Sequence, residues 1–243
     1  MDFSKWGKVT RKPFTPVRRT IARRMSESWA AIPHVTQFDE ADVMQVLQLR
    51  KKLEESYHKK GAVLTVTGFI LKAVTAALKK YPVFNTSLDE AAGELVFKEY
   101  VNLGIAVDTE AGLIVPVLRD ADKKSMLEIS KEVAVLAEKA RERKLSAEEI
   151  QGGTFTISNQ GGIGGTHFTP IINLPEVAIL GVGRSSLKPV VVKSGSEKVI
   201  EPRMLLPLAL SYDHRVIDGA DAARFITFLK TTLEAFPESE AKL

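Results

Sequence analysis

The stretch SYDHRVIDGA, residues 211–220, sets a histidine, an arginine and two aspartates between the apolar run MLLPLAL (204–210) and an amphipathic segment. A strand that leaves the core, makes a charged turn and opens a helix can hold a side chain rigidly with its tip accessible. His214 stands at such a junction. A lone histidine is ordinarily a core residue satisfied by backbone carbonyls. Here, however, Asp213, Arg215 and Asp218 can fix its tautomer, and neutral imidazole is the best general base near neutral pH. Asp218 also stands where the N-cap of a closing helix over 222–236 would fall. Both roles can hold together.

Upstream, GGTFTISNQGGIGGTHF (152–168) is a β-branched strand running into a glycine-rich loop, which lets a ligand or another backbone approach closely. It lacks the Gly-Lys-Ser/Thr ending of a phosphate loop, opens no evident helix as a dinucleotide fingerprint does, and has no G-x-S-x-G elbow around Ser158. A hydrolase built from Ser158, His214 and Asp218 stays open, because triads have no fixed chain order. His34, His58, His167 and His214 are scattered with no H-x-x-x-H, so no metal ligands are expected. His58 reads as solvated among lysines; His34 and His167 are ambiguous.

The chain has 243 residues, 44% hydrophobic and 26% charged, enough for one domain with a sizeable core. Without cysteine, disulfides, thiolate zinc sites and a cysteine nucleophile are excluded. No apolar run approaches the roughly 18 residues of a membrane span and the opening resembles no signal peptide, which points to the cytoplasm, or the mitochondrial matrix in a eukaryote. Residues 1–30 carry eight Lys and Arg against Asp2 and Glu27. No aromatic ladder interleaves these charges, so they read as a solvated face plus a basic arm over 1–14, with neither nucleic acid nor membrane as partner. Residues 15–243 then form the domain.

Apolar periodicity predicts helices over 15–29, 43–60, 69–81 and 126–143, with a strand over 34–43. The segment around EAG (110–112) reads as a hairpin, and GTFTISN, EVAILGVG, PVVVK, KVIEP and MLLPLALSYD read as separate strands. Helices and strands come in runs, which predicts an α+β fold with a mixed β-sheet and flanking helices.

DHRVIDG (213–219) resembles the DHRxxDG motif of the catalytic domain of dihydrolipoyl acyltransferases, the core component of 2-oxo acid dehydrogenase complexes and relatives of chloramphenicol acetyltransferase. IPHVTQFDEADV (32–43), YPVFNTSL (81–88), NLGIAVDTEAGLIVPVLRD (102–120), GGTFTISN and FTPIINLPEVAILGVG (168–183) also look like that family, and most like its pyruvate-type branch. The resemblance implies a chloramphenicol-acetyltransferase-like two-layer sandwich. It makes His214 the base that takes a thiol proton and Ser158 the hydrogen-bond donor to the tetrahedral oxyanion. It also implies that Asp218 pairs with a buried arginine, offered by Arg18, Arg19, Arg23 or Arg24. Arg50 matches a position that contacts coenzyme A, and Asp108 one near the lipoamide. Coenzyme A and the lipoyl group are substrates in this reading, with no resident cofactor and no metal. The partners implied are a lipoyl domain and the other components of the complex. Three copies would form a homotrimer with the histidine and serine of each site on different chains, and trimers would build cages of 24 or 60.

Two features depart from that pattern. The chain ends FPESEAKL, without the family's apolar tail, so trimers are expected to dominate. It carries no lipoyl attachment site and no Ala/Pro-rich linker, as an excised core or a lipoyl-free paralogue would.

Overall fold

The structure, a computed structural model, describes every residue except Ser196. Helix α1 spans Pro16–Ala31, where Thr15 accepts the Arg18 N–H at 3.2 Å and Pro16 fits the first turn. Strand β1 (His34–Asp42) leads to α2 (Met44–Lys59) and α3 (Val66–Lys80). Two short hairpins follow, β2 (Thr86–Asp89) with β3 (Glu94–Phe97), and, after β4 (Leu103–Ile105), β5 (Val107–Thr109) with β6 (Gly112–Ile114). The second is the hairpin expected around EAG. Strand β7 (Val117–Leu118) precedes α4 (Met126–Arg141), which Ser125 and Glu128 close with a reciprocal capping box. Then come β8 (Phe155–Asn159), β9 (Ala178–Val182), β10 (Ser186–Ser194), β11 (Glu197–Asp213), α5 (Gly219–Glu234) and the short α6 (Glu238–Ala241).

The main sheet runs β1-β11-β9-β8-β4-β7, with β10 paired to the outer part of β11. β8 is parallel to both β4 and β9, and the other pairs are antiparallel, so the sheet is mixed as predicted. KVIEP and MLLPLALSYD are one continuous 17-residue strand, against the expectation of two. Pro202, at the join, suggested a break because proline cannot donate. A proline carbonyl still accepts, as Pro207 inside the second run takes the Gly183 N–H at 2.9 Å. The closing helix starts three residues earlier than predicted, at Gly219.

Strand alternation sorts side chains onto two faces. Phe155 and Ile157 of β8, Leu180 and Val182 of β9, and Leu208 and Leu210 of β11 enter the main core beneath α3 and α5. Phe225 of α5 stacks on Phe84 at 4.1 Å and lies 5.9 Å from Phe155. Thr156, Ser158, Gly181, Ala209 and Ser211 therefore share the opposite face. At the chain's end, Leu233 and Phe236 are buried in this same core, and the Tyr57 hydroxyl donates to the Ala241 carbonyl at 2.7 Å. Of the apolar residues near the terminus, Leu243 remains exposed.

Candidate active site

The turn after β11 is built by its own backbone and by Asp213. The Asp213 N–H donates to the Val177 carbonyl at 2.8 Å, and the Val216 and Ile217 N–H groups return to the Asp213 carbonyl at 3.0 Å. The Asp213 carboxylate, 2% exposed, accepts from the Arg215 backbone N–H and from its guanidinium Nε and Nη2. Arg215 Nη1 reaches on to Glu90 at 2.8 Å. These two carboxylates hold the Arg215 guanidinium still more firmly protonated than usual. His214 projects from this braced turn into solvent, its own N–H tied to the Pro33 carbonyl at 3.2 Å.

Asp218 occupies the N-cap position of α5 with extended backbone, but its side chain makes no capping hydrogen bond. The capping role is therefore a correction: Asp218 supplies charge at the helix start without satisfying its N–H groups. Burial, and then the Asp218 charge, push the Tyr212 phenol upward. Among the described residues Asp218 pairs with no arginine of the chain either. Arg18, Arg19, Arg23 and Arg24 are all exposed on α1, and Arg23 pairs with Glu27.

Ser158 is 8% exposed and sits opposite Gly181 of β9, which in turn sits opposite Ala209 of β11. His214 follows five residues after Ala209, two strands away, so strand spacing separates Ser158 from His214 by about 20 Å. Among the described residues no hydrogen bond or ion pair joins Ser158 to His214 or Asp218. One chain cannot bring both side chains to one substrate, which removes the Ser158, His214, Asp218 hydrolase triad. Arg50 is half-buried on α2 and Asp108 exposed on β5. A groove of about 1140 Å³ runs between β1, α2, β11 and α5, lined by Phe38, Asp42, Lys52, Arg203 and His167 among others, and it contains none of the candidate site residues.

The glycine-rich loop lets another stretch of backbone approach closely. A Cβ on Gly183 would stand 1.8 Å from the Thr166 carbonyl oxygen, and Arg184 donates to Gly165 at 2.7 Å. Of two residues near the turn, the sequence left His34 ambiguous and did not single out Glu176. His34 receives the Ile172 N–H on Nε2 at 3.0 Å, so its proton is on Nδ1, 2.9 Å from the Ile32 carbonyl, and Trp29 stacks on it. Glu176, 2% exposed, is pushed up to about 7 by burial, against weaker hydrogen bonds from Thr156 and Asn173. A lone carboxyl in an apolar stretch gives no sequence signal of its own.

A mixed sheet under one helical layer is the fold shared with chloramphenicol acetyltransferase, which matches at a TM-score of 0.55 over 93% of this chain and 99% of that one. At 14% identity the likeness is one of fold alone. The chain belongs to the family of 2-oxoacid dehydrogenases acyltransferase (catalytic domain), whose model matches residues 7–240. It is 47% identical over 235 residues to the dihydrolipoyllysine-residue acetyltransferase component of the pyruvate dehydrogenase complex of Haemophilus influenzae, covering 96% of this chain, and 49% identical to that of Cupriavidus necator, covering 97%. It spans 41% of the length of each. The solved dihydrolipoamide acetyltransferase of Azotobacter vinelandii superposes at a TM-score of 0.93 with 47% identity, covering all of this chain and 98% of that one. In that enzyme a serine, a histidine and an asparagine four places beyond the histidine were studied for the catalytic mechanism. Asp218 stands four places beyond His214 here. The cubic core of a pyruvate dehydrogenase multienzyme complex matches equally, at 0.93 and 46% identity, covering all of this chain and 98% of that one.

Proposed function

We propose that this chain transfers an acyl group, acetyl as in its named relatives, between coenzyme A and a dihydrolipoyl thiol, at sites shared between neighbouring copies in an assembly that is at least a trimer. The observation that carries the reading is the register of Ser158 with Gly181 and of Gly181 with Ala209, which by strand spacing puts His214 about 20 Å from Ser158 within one chain. Two residues of the expected chemistry, one at a strand end and one in an exposed turn, make a single site only when supplied by different copies.

The chemistry then follows from the side chains. A thiol with a pKa near 8.5 is mostly protonated at neutral pH, so His214 accepts its proton as the sulfur attacks the thioester carbonyl. The new C–S bond forms and the carbonyl oxygen becomes an oxyanion, which the Ser158 hydroxyl of the adjacent copy stabilises by about 3 kcal/mol. The intermediate collapses, the other C–S bond breaks, and the imidazolium returns its proton to the departing thiolate. No acyl-enzyme forms. The Asp213–Arg215 brace fixes the turn that aims His214, while Arg50 and Asp108 are assigned to coenzyme A and to the lipoyl arm. A lipoyl domain and the other components of a 2-oxo acid dehydrogenase complex are the partners this reaction requires.

Subunit mixing tests the reading. His214→Ala and Ser158→Ala proteins are separately near-inactive in it. Dissociated together and reassembled in equal amounts, they recover about a quarter of wild-type acetyl transfer to dihydrolipoamide, because one interface in four combines an intact histidine with an intact serine. Failure of two well-assembled variants to complement would sink the shared site. The same assay with succinyl- and branched acyl-coenzyme A decides the acyl group.

A further inference from the structure

Glu176 lies just before β9, and its carboxyl is buried on the same face of the sheet as Ser158. Its Oε1 accepts from the Thr156 hydroxyl at 2.9 Å and from the Asn173 amide at 3.3 Å, while its Oε2 is buried with no partner among the described residues. A buried carboxyl with an unsatisfied oxygen is costly, and an apolar residue of similar size would avoid that cost. Two backbones close tightly around the pair. A Cβ on Gly104 would come 2.5 Å from the Thr156 hydroxyl oxygen, and one on Gly153 would come 2.9 Å from Glu176 Oε1. Lys98 faces the carboxyl from beyond β3, its ammonium held by the Thr86 carbonyl and the Ser87 hydroxyl. Ser87 in turn donates to the Pro175 carbonyl, next to Glu176.

Thr156 and Ser158 are two residues apart on β8, so their side chains share one face at about 7 Å. Whatever fixes the Thr156 side chain fixes the pleat that aims Ser158. We propose that Glu176 is the positioning residue for Ser158, acting through the Thr156 hydroxyl to hold β8 in the one setting that points the serine at the thioester oxygen. This rests on the reading of Ser158 as the oxyanion donor.

The test is a set of double-mutant cycles with Ser158→Ala, read by steady-state acetyl transfer to dihydrolipoamide. Thr156→Val and Glu176→Met each lower kcat about ten-fold with Michaelis constants within about two-fold, because the lost alignment matters mainly in the transition state. Glu176→Gln, which keeps an acceptor for Thr156, retains kcat within about two-fold of wild type. In the Ser158→Ala background the Thr156→Val loss disappears, since no serine is left to align. If Glu176→Met does not fold, the Thr156→Val cycle carries the test by itself. A Thr156→Val loss of the same size in both backgrounds makes the network merely structural and overturns the proposal, as does a Glu176→Gln variant as impaired as Thr156→Val. A Ser158→Ala enzyme with unchanged turnover instead overturns the oxyanion reading on which it rests.

Discussion

Gly104 and Thr156 face each other across β4 and β8 so closely that the Thr156 hydroxyl occupies the space where a side chain at 104 would begin: a Cβ there would stand 2.5 Å from its oxygen and 2.9 Å from Val115. The glycine is what lets the hydroxyl turn toward Glu176. Gly104→Ala is expected to destabilise the fold by about 1–3 kcal/mol through overpacking and to lower turnover with it. A thermal melt unchanged from wild type would show that β4 can shift freely.

His214→Ala should lower acetyl transfer on the order of 100-fold or more, as removal of a general base does. His214 is exposed, tied to the fold by its backbone N–H and by a ring contact with Tyr212 at 5.8 Å, so the variant should sediment as the wild type does. Near-normal turnover would refute its assignment as the base.

Arg215 is the counter-charge of the nearly buried Asp213. Arg215→Ala leaves that carboxylate without its guanidinium and should cost roughly 3 kcal/mol, with His214 misaimed as a consequence. Arg215→Lys should recover little, because an ammonium cannot reproduce the fork that spans Asp213 and Glu90. Lysine-variant stability and turnover equal to wild type would reduce the pair to simple charge balance.

The raised Glu176 carboxyl makes stability depend on pH. Its folded pKa of about 7 exceeds the ordinary 4.5, so between those values the folded chain holds a proton that the unfolded chain has lost. Stability contributed by this group therefore falls as pH rises through that window and levels off above it. Glu176→Gln removes the dependence and should be more stable than wild type at pH 8, on the order of 3 kcal/mol, with little difference near pH 4.5. Parallel urea midpoints for the two proteins from pH 5 to 8 would contradict the assignment.

The element pattern was legible in the sequence wherever local chemistry is strong. Thr15 with Pro16, the Ser125 and Glu128 box, and the period-2 run GTFTISN each decide their own conformation from neighbouring atoms, and the DHRVIDG turn advertised its histidine through charge in an apolar context. Strand continuity through Pro202 was not legible. Whether a proline interrupts a strand depends on which neighbour needs its missing N–H, and that neighbour comes from β1, β9 or β10.

The sequence by itself determined the mixed α+β class and the family, and singled out His214 and Ser158 as candidates, because these rest on residue type and order along the chain. Tertiary structure alone decided that the two stand apart, that Asp218 leaves its helix uncapped, and that Arg18, Arg19, Arg23 and Arg24 stay exposed. It also decided that Glu176, inconspicuous in LPEVAIL, meets Thr156 inside the sheet. Distances between residues far apart in sequence are set by strand register and sheet order. Those emerge from the summed packing of the core, which no local stretch of chain encodes.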